Sequence, residues 1–173
     1  MANITVVVTF YSRGGATETL AHAAAVGAVQ GRALIRLRRV EDADSGSILD
    51  RLPESRESLR RMHKEYVAPR ETDVLAADAL ILGSPADVGA SSPEWLPYLD
   101  LLARLQSEGK LAGKVVAVIA NGSVSESFTA FFRRLGVATP DPHSVPPGDD
   151  VSRAVALGRQ VVAMAQAMKM GAT

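Results

Sequence analysis

A glycine pair flanked by hydroxyls near the N-terminus of this chain gathers the donors that an anion requires. Ser12, Arg13, Gly14, Gly15, Ala16 and Thr17 follow an apolar run and open a stretch rich in alanine. Gly14 and Gly15 permit positive φ and close backbone approach. Ser12 and Thr17 supply hydroxyls, Arg13 supplies a charge-assisted donor, and the helix that follows adds its free N–H groups. The pattern predicts a bound phosphate group; an ordinary glycine turn ahead of a capped helix is the alternative. It is neither a Walker A loop, which needs Gly-Lys-Ser/Thr, nor a dinucleotide G-x-G-x-x-G.

Two further loops carry the same small, polar character. Pro85, Ala86, Asp87, Val88 and Gly89 leave an apolar run, and such a loop presents backbone N–H and C=O groups to a planar heterocycle. Trp95 and Tyr98 lie just beyond it. Either can stack on a ring; burial against the sheet is favoured for Tyr98, while both readings stay open for Trp95. Asn121, Gly122 and Ser123 either flank the other side of the ring or cap the helix starting near Ser125. The histidines contribute little: His22 is expected on an exposed face, His63 in a solvated basic stretch, and His143 in a proline-rich loop. No Ser-His-Asp set or carboxylate pair is legible, so hydrolysis has no support.

These loops need a scaffold that aims them at one edge. Ile4–Phe10, residues 79–82 and Val115–Ala120 are apolar throughout and rich in β-branched types, as strands buried on both faces of a parallel sheet are. A more polar strand over 33–40 suits an edge, and a very short fifth is expected near 136–139. Helical patterns over 17–30, 99–106, 125–135 and 151–169 alternate with them. The first carries a thin face (Leu20, Ala24, Gly27, Ala28) that lets it approach a sheet closely. Alternation from end to end predicts one doubly wound α/β domain over residues 1–173, with helices on both faces. In such sheets ligands bind beyond the carboxyl ends of the strands, where strand order reverses, and all three loops fall there. Residues 41–73 resist the scheme, being dense in charge. Residues 55–66 can form a helix with Leu59, Met62 and Tyr66 inward and Glu57, Arg61 and Glu65 paired four apart. The segment reads as a solvated elaboration, or as a lid or subunit-contact arm.

Composition narrows the function classes. Nineteen basic and nineteen acidic residues leave no formal net charge, which removes the basic excess expected of a nucleic-acid or anionic-membrane partner. The absence of cysteine excludes disulfides, thiolate metal sites and cysteine nucleophiles. No histidine pair has metal-ligand spacing, so no metal is expected. No apolar run reaches the ~18 residues of a membrane span, and the N-terminus lacks a signal pattern. A cytoplasmic protein is the expectation.

The loop residues resemble the flavodoxin-like superfamily, and most closely its tryptophan-repressor-binding-protein type of NAD(P)H:quinone oxidoreductases. The resemblance runs through Tyr11-Ser12-x-x-Gly15-x-x-Glu18-Thr19, then Asp78-Ala79-x-Ile81-x-Gly83-Ser84-Pro85, Gly89 and Leu99-Asp100. It implies a three-layer sandwich with a five-stranded parallel sheet of order 2-1-3-4-5. It also implies noncovalent FMN, with the phosphate on residues 12–17 and the isoalloxazine between the second and third loops. NAD(P)H would reduce the flavin and a quinone would accept two electrons, with no side chain needed as acid or nucleophile. A homo-oligomer, dimer or tetramer, is implied as well. The chain departs from the family where Asp87-Val88-Gly89-Ala90 replaces an Arg-aromatic-Gly-Asn run and where the third loop is short. Those departures keep two other readings in view: an electron-transfer flavodoxin, and a flavodoxin-like binding module without FMN.

Overall fold

The computed structural model describes residues 3–141 and 144–172. Strands β1 (Ile4–Phe10), β2 (Ala33–Arg39), β3 (Ala79–Ser84) and β4 (Val115–Ala120) form a parallel sheet of order β2-β1-β3-β4. Successive side chains of a strand point to opposite faces, and here both faces are covered. Val6, Val8, Phe10, Ile81 and Ile119 pack under α1 (Ala16–Gln30), α7 (Asp150–Gly171), α2 (Ser45–Arg51) and α3 (Arg56–Glu65). Val7, Tyr11, Leu80, Leu82 and Val116 pack under α4 (Glu71–Ala76), α5 (Leu96–Ser107) and α6 (Glu126–Leu135). The continuous apolar runs follow from that double coverage. The outer strand β2 is the polar one: Leu34 is 61% exposed, and Arg36 and Arg38 reach Asp73 of α4 at 3.4 and 2.8 Å.

The expected fifth strand is reduced to a single bridge, so the sheet has four strands and not five. Val115 pairs with Ala138, and the Val116 N–H donates to the Ala138 carbonyl at 2.9 Å. In a parallel ladder the next bond would run from the N–H of residue 140 to the Val116 carbonyl. Residue 140 is proline and has no N–H to give, so pairing stops there.

The thin face of α1 packs on the sheet as expected, with Leu20, Ala24 and Ala28 in one core with Val6, Val8 and Phe10, and it serves a second neighbour as well. A Cβ on Gly27 would lie 2.0 Å from the Val155 carbonyl oxygen of α7, and one on Gly158 would lie 2.1 Å from the Ala24 carbonyl oxygen of α1. The two glycines let the helix backbones touch where α1 and α7 cross. The charged segment is likewise integrated. Leu59 and Met62 are fully buried, and Tyr66 packs edge-on against Phe10 with ring centroids 4.9 Å apart.

Candidate functional site

β1 ends at Phe10, and the chain then turns sharply into α1. The Ser12 hydroxyl, 1% exposed, accepts the Gly15 N–H at 3.1 Å and closes the loop. Gly15 sits at φ +99°, a conformation that a side chain would strain. The first helical bond runs from the Thr19 N–H to the Gly15 carbonyl at 3.0 Å. The amides of Ala16, Thr17 and Glu18 therefore have no acceptor within the helix, and they share the positive end of its dipole. Glu18 in that first turn would repel an anion, but Arg61 of α3 holds its carboxylate at 2.6 and 3.0 Å and the Tyr66 hydroxyl donates to it at 2.6 Å. The Arg61 hydrogen bond holds the Glu18 carboxyl below its ordinary range, against the opposing effect of burial.

Side-chain bonds join the three sequence-predicted loops at this edge. Thr17 donates to the Asn121 side-chain oxygen at 3.2 Å, linking the first loop to the third. Arg13 reaches Asp87 at 3.4 Å, linking the first loop to the second, while its guanidinium lies over the Tyr11 ring at 5.6 Å. Ala16, Ala86, Asp87 and Ser123 are exposed, and Gly15, Pro85 and Gly89 are half-buried. Two expected contributors turn elsewhere: Val88 is buried, and the Gly122 N–H donates to Asp150 of α7 at 3.1 Å. Gly14 is exposed beside Ser55, whose hydroxyl would lie 3.6 Å from a Cβ at that position.

The second loop is braced from beneath. Ser84 donates to the Val88 carbonyl and accepts the Trp95 indole N–H, both at 2.9 Å, and Ser127 of α6 accepts the Ala90 N–H at 2.9 Å. Trp95 is fully buried, edge-on to Phe128 at 5.5 Å, and Tyr98 is 5% exposed. Trp95 therefore belongs to the core, and neither aromatic is available to stack on a ligand. Ser125 caps α6, its hydroxyl accepting from the Ser127 N–H.

Beneath the first loop lies a cluster that sequence reasoning missed. Arg39 ends β2 at 3% exposure and donates to the Ser12 carbonyl at 2.8 Å. It pairs with Asp42 at 3.2 Å, and Asp42 also accepts the Tyr11 hydroxyl at 2.9 Å and lies 2.8 Å from His63 Nε2. His63 is thus tied to a buried carboxylate and is not merely part of a solvated basic face. Burial alone would raise the Asp42 carboxyl, but His63, the Arg39 charge and the Tyr11 hydroxyl together hold it below the ordinary range. Burial pushes the Tyr11 hydroxyl up to about 12, the Arg13 hydrogen bond opposing it and Asp42 adding to it. The Arg39-x-x-Asp42 spacing was visible in the chain, but nothing local to it signals burial. His22 is exposed, as expected, and lies 2.7 Å from the Tyr66 hydroxyl. His143 lies outside the described residues.

The donor set fits a phosphate: free helix amides, two hydroxyls, a half-buried arginine and a glycine at a positive φ that a side chain would strain. Comparison with known proteins bears on which phosphate. Residues 2–149 match the family model described as NADPH-dependent FMN reductase. The chain is 33% identical over 124 residues to an NAD(P)H dehydrogenase (quinone) of Archaeoglobus fulgidus, a match covering 72% of this chain and 63% of that protein. It is 30% identical over 115 residues to NAD(P)H dehydrogenase (quinone) 3 of Rhizobium meliloti, covering 66% and 51%. The chain thus spans about half to just under two thirds of the length of these relatives. Among solved structures it resembles a WrbA-like flavodoxin from Agrobacterium tumefaciens, with a TM-score of 0.61 at 17% identity over 95% of this chain and 99% of that one. It also resembles the flavodoxin of Megasphaera elsdenii, with a TM-score of 0.57 at 17% identity over 90% and 98%. The fold is flavodoxin-like, with the fifth strand reduced to a bridge.

Proposed function

Because this chain belongs to the NADPH-dependent FMN reductase family, we propose that it binds FMN noncovalently. Through that flavin it would pass two electrons from NAD(P)H to a quinone or similar acceptor. The observation that carries the reading is the convergence of the Ser12–Thr17 cradle with the second and third loops, through Thr17–Asn121 and Arg13–Asp87. The hydride chemistry is the flavin's own when it is bound; this chain's residues bind, orient and tune. Ser12, Thr17 and the amides of Gly14, Ala16 and Thr17 would hold the phosphate, with Gly15 shaping the turn and Arg13 adding charge. Residues 85–89 and 121–123 would flank the ring, where the exposed Asp87 sets the local potential. The proposal includes residues 1–173 as one domain, a homo-oligomer and a cytoplasmic location. Among the described residues, no helix is long and apolar enough to cross a membrane.

Titration of the apoprotein with FMN, followed by NAD(P)H oxidation with and without a quinone, tests this. Ser12→Ala with Thr17→Ala is expected to weaken FMN binding by a few kcal/mol, since each bond to a charged group contributes about 1.5–3 kcal/mol. Unchanged affinity would place the phosphate elsewhere. No flavin uptake at saturating FMN would favour a binding module, and uptake without NAD(P)H oxidation an electron-transfer protein. Gel filtration tests the oligomer.

A further inference from the structure

A cavity of about 440 Å³ opens between α2 and α3, lined by Gly46, Ile48, Leu49, Leu59, Arg60, His63 and Lys64 and by no residue of the cofactor loops. That volume lies within the range of small-molecule sites. Ile48 and Leu59 are buried and Leu49 is half-buried, which gives an apolar floor. Arg60, His63 and Lys64 are exposed and form a basic rim, and no acid lines the wall. Two nearby carboxylates already have partners: Glu65 is held by Arg61 at 2.7 Å and Asp42 by Arg39 and His63. Neither Arg60 nor Lys64 makes an ion pair or hydrogen bond among the described residues.

A second observation points the same way. Arg56 lies one turn before Arg60 on α3, and its Nη2 donates to the carbonyl of the cavity-lining Leu49 at 3.2 Å. Its Nε is buried without any acceptor. Arg56 does not itself line the cavity, but through Leu49 it sets a third positive charge behind the wall.

We propose that this cavity binds a small amphiphilic anion, with an apolar body on Ile48, Leu49 and Leu59 and a carboxylate or phosphate against Arg60 and Lys64. The assignment does not depend on FMN. The probes are 2-naphthoate and its neutral counterpart 2-naphthol, titrated into the FMN-equilibrated full chain and followed by amide chemical shifts. Naphthoate is expected to saturate, to bind at least fivefold tighter than naphthol, and to move the amides of Gly46, Leu49, Arg60 and Lys64. Arg60→Ala with Lys64→Ala removes two exposed charges and is expected to weaken naphthoate about fivefold, leaving naphthol unchanged. High salt should mimic that loss. Equal affinity for the two probes, unchanged affinity in the double variant, or shifts confined to residues 85–89 would overturn the proposal. So would an absence of saturable naphthoate binding alongside sedimentation with anionic vesicles, which would make the patch a membrane contact.

Discussion

Replacing Asp42 by alanine removes a carboxylate on which three donors converge: the Tyr11 hydroxyl at 2.9 Å, Arg39 at 3.2 Å and His63 at 2.8 Å. The Arg39 side chain is 3% exposed and that of Asp42 is 0% exposed, so the guanidinium left behind cannot find water. Breaking a buried pair from one side costs about 3–5 kcal/mol, a large share of the ~5–15 kcal/mol that keeps a domain folded. At roughly 2–4 °C per kcal/mol for a chain of this size, Tm should fall by about 6–20 °C. Arg39 also holds the Ser12 carbonyl, so FMN affinity should fall with it. Because the cost arises from an unpaired charge, Arg39→Met with Asp42→Ala should recover much of the stability. The pH dependence follows from the depressed folded pKa of Asp42. Its contribution is present above the ordinary carboxylate range and is lost as pH falls through the folded value, so the acid limb of the stability profile should flatten in Asp42→Ala. Urea unfolding at neutral and acid pH measures all of this. A loss below about 1 kcal/mol, or a double variant no more stable than the single, would refute the reasoning.

The α1–α7 crossing is tested by Gly158→Ala. Its new Cβ would lie 2.1 Å from the Ala24 carbonyl oxygen, whereas Gly171 has nothing within 4 Å. Alanine should raise helix propensity by about 1 kcal/mol at the interior Gly158 and by less at Gly171, which ends α7, yet overpacking of about 1–3 kcal/mol should make Gly158→Ala the less stable of the two; equal urea midpoints would show that the helices have room to part. For the flavin, Asp87→Asn removes an exposed negative charge, worth about 1 kcal/mol at contact distance in a wet site. The two-electron midpoint potential should rise by about 20 mV, and an unchanged or lower potential in a spectroelectrochemical titration would place Asp87 away from the ring.

Much of the site was legible because its signals are local. Ser12, Gly15 and Thr17 are close in sequence, and a positive φ and a helix start are decided over a few residues. The apolar runs of β1, β3 and β4 announced a sheet covered on both faces. The fifth strand was overestimated because its pairing failed on the single N–H missing at Pro140, a matter of register against Val116. Trp95 stayed open because stacking and burial make the same demand on composition, and only Ser84 and Phe128, brought from other elements, decide it.

What this sequence determined by itself is therefore the glycine turn that opens α1, the alternation of strand and helix, and the edge of the sheet at which the three small, polar loops gather, all consequences of short-range backbone preference and hydrophobic period. What only the tertiary structure decided is the support beneath. Arg39 with Asp42, Tyr11 and His63 converge from three segments, and Glu18 is neutralised from α3, 43 residues away. Burial of charge depends on which surfaces close over it. That closure is a property of packed elements, and no spacing along the chain records it.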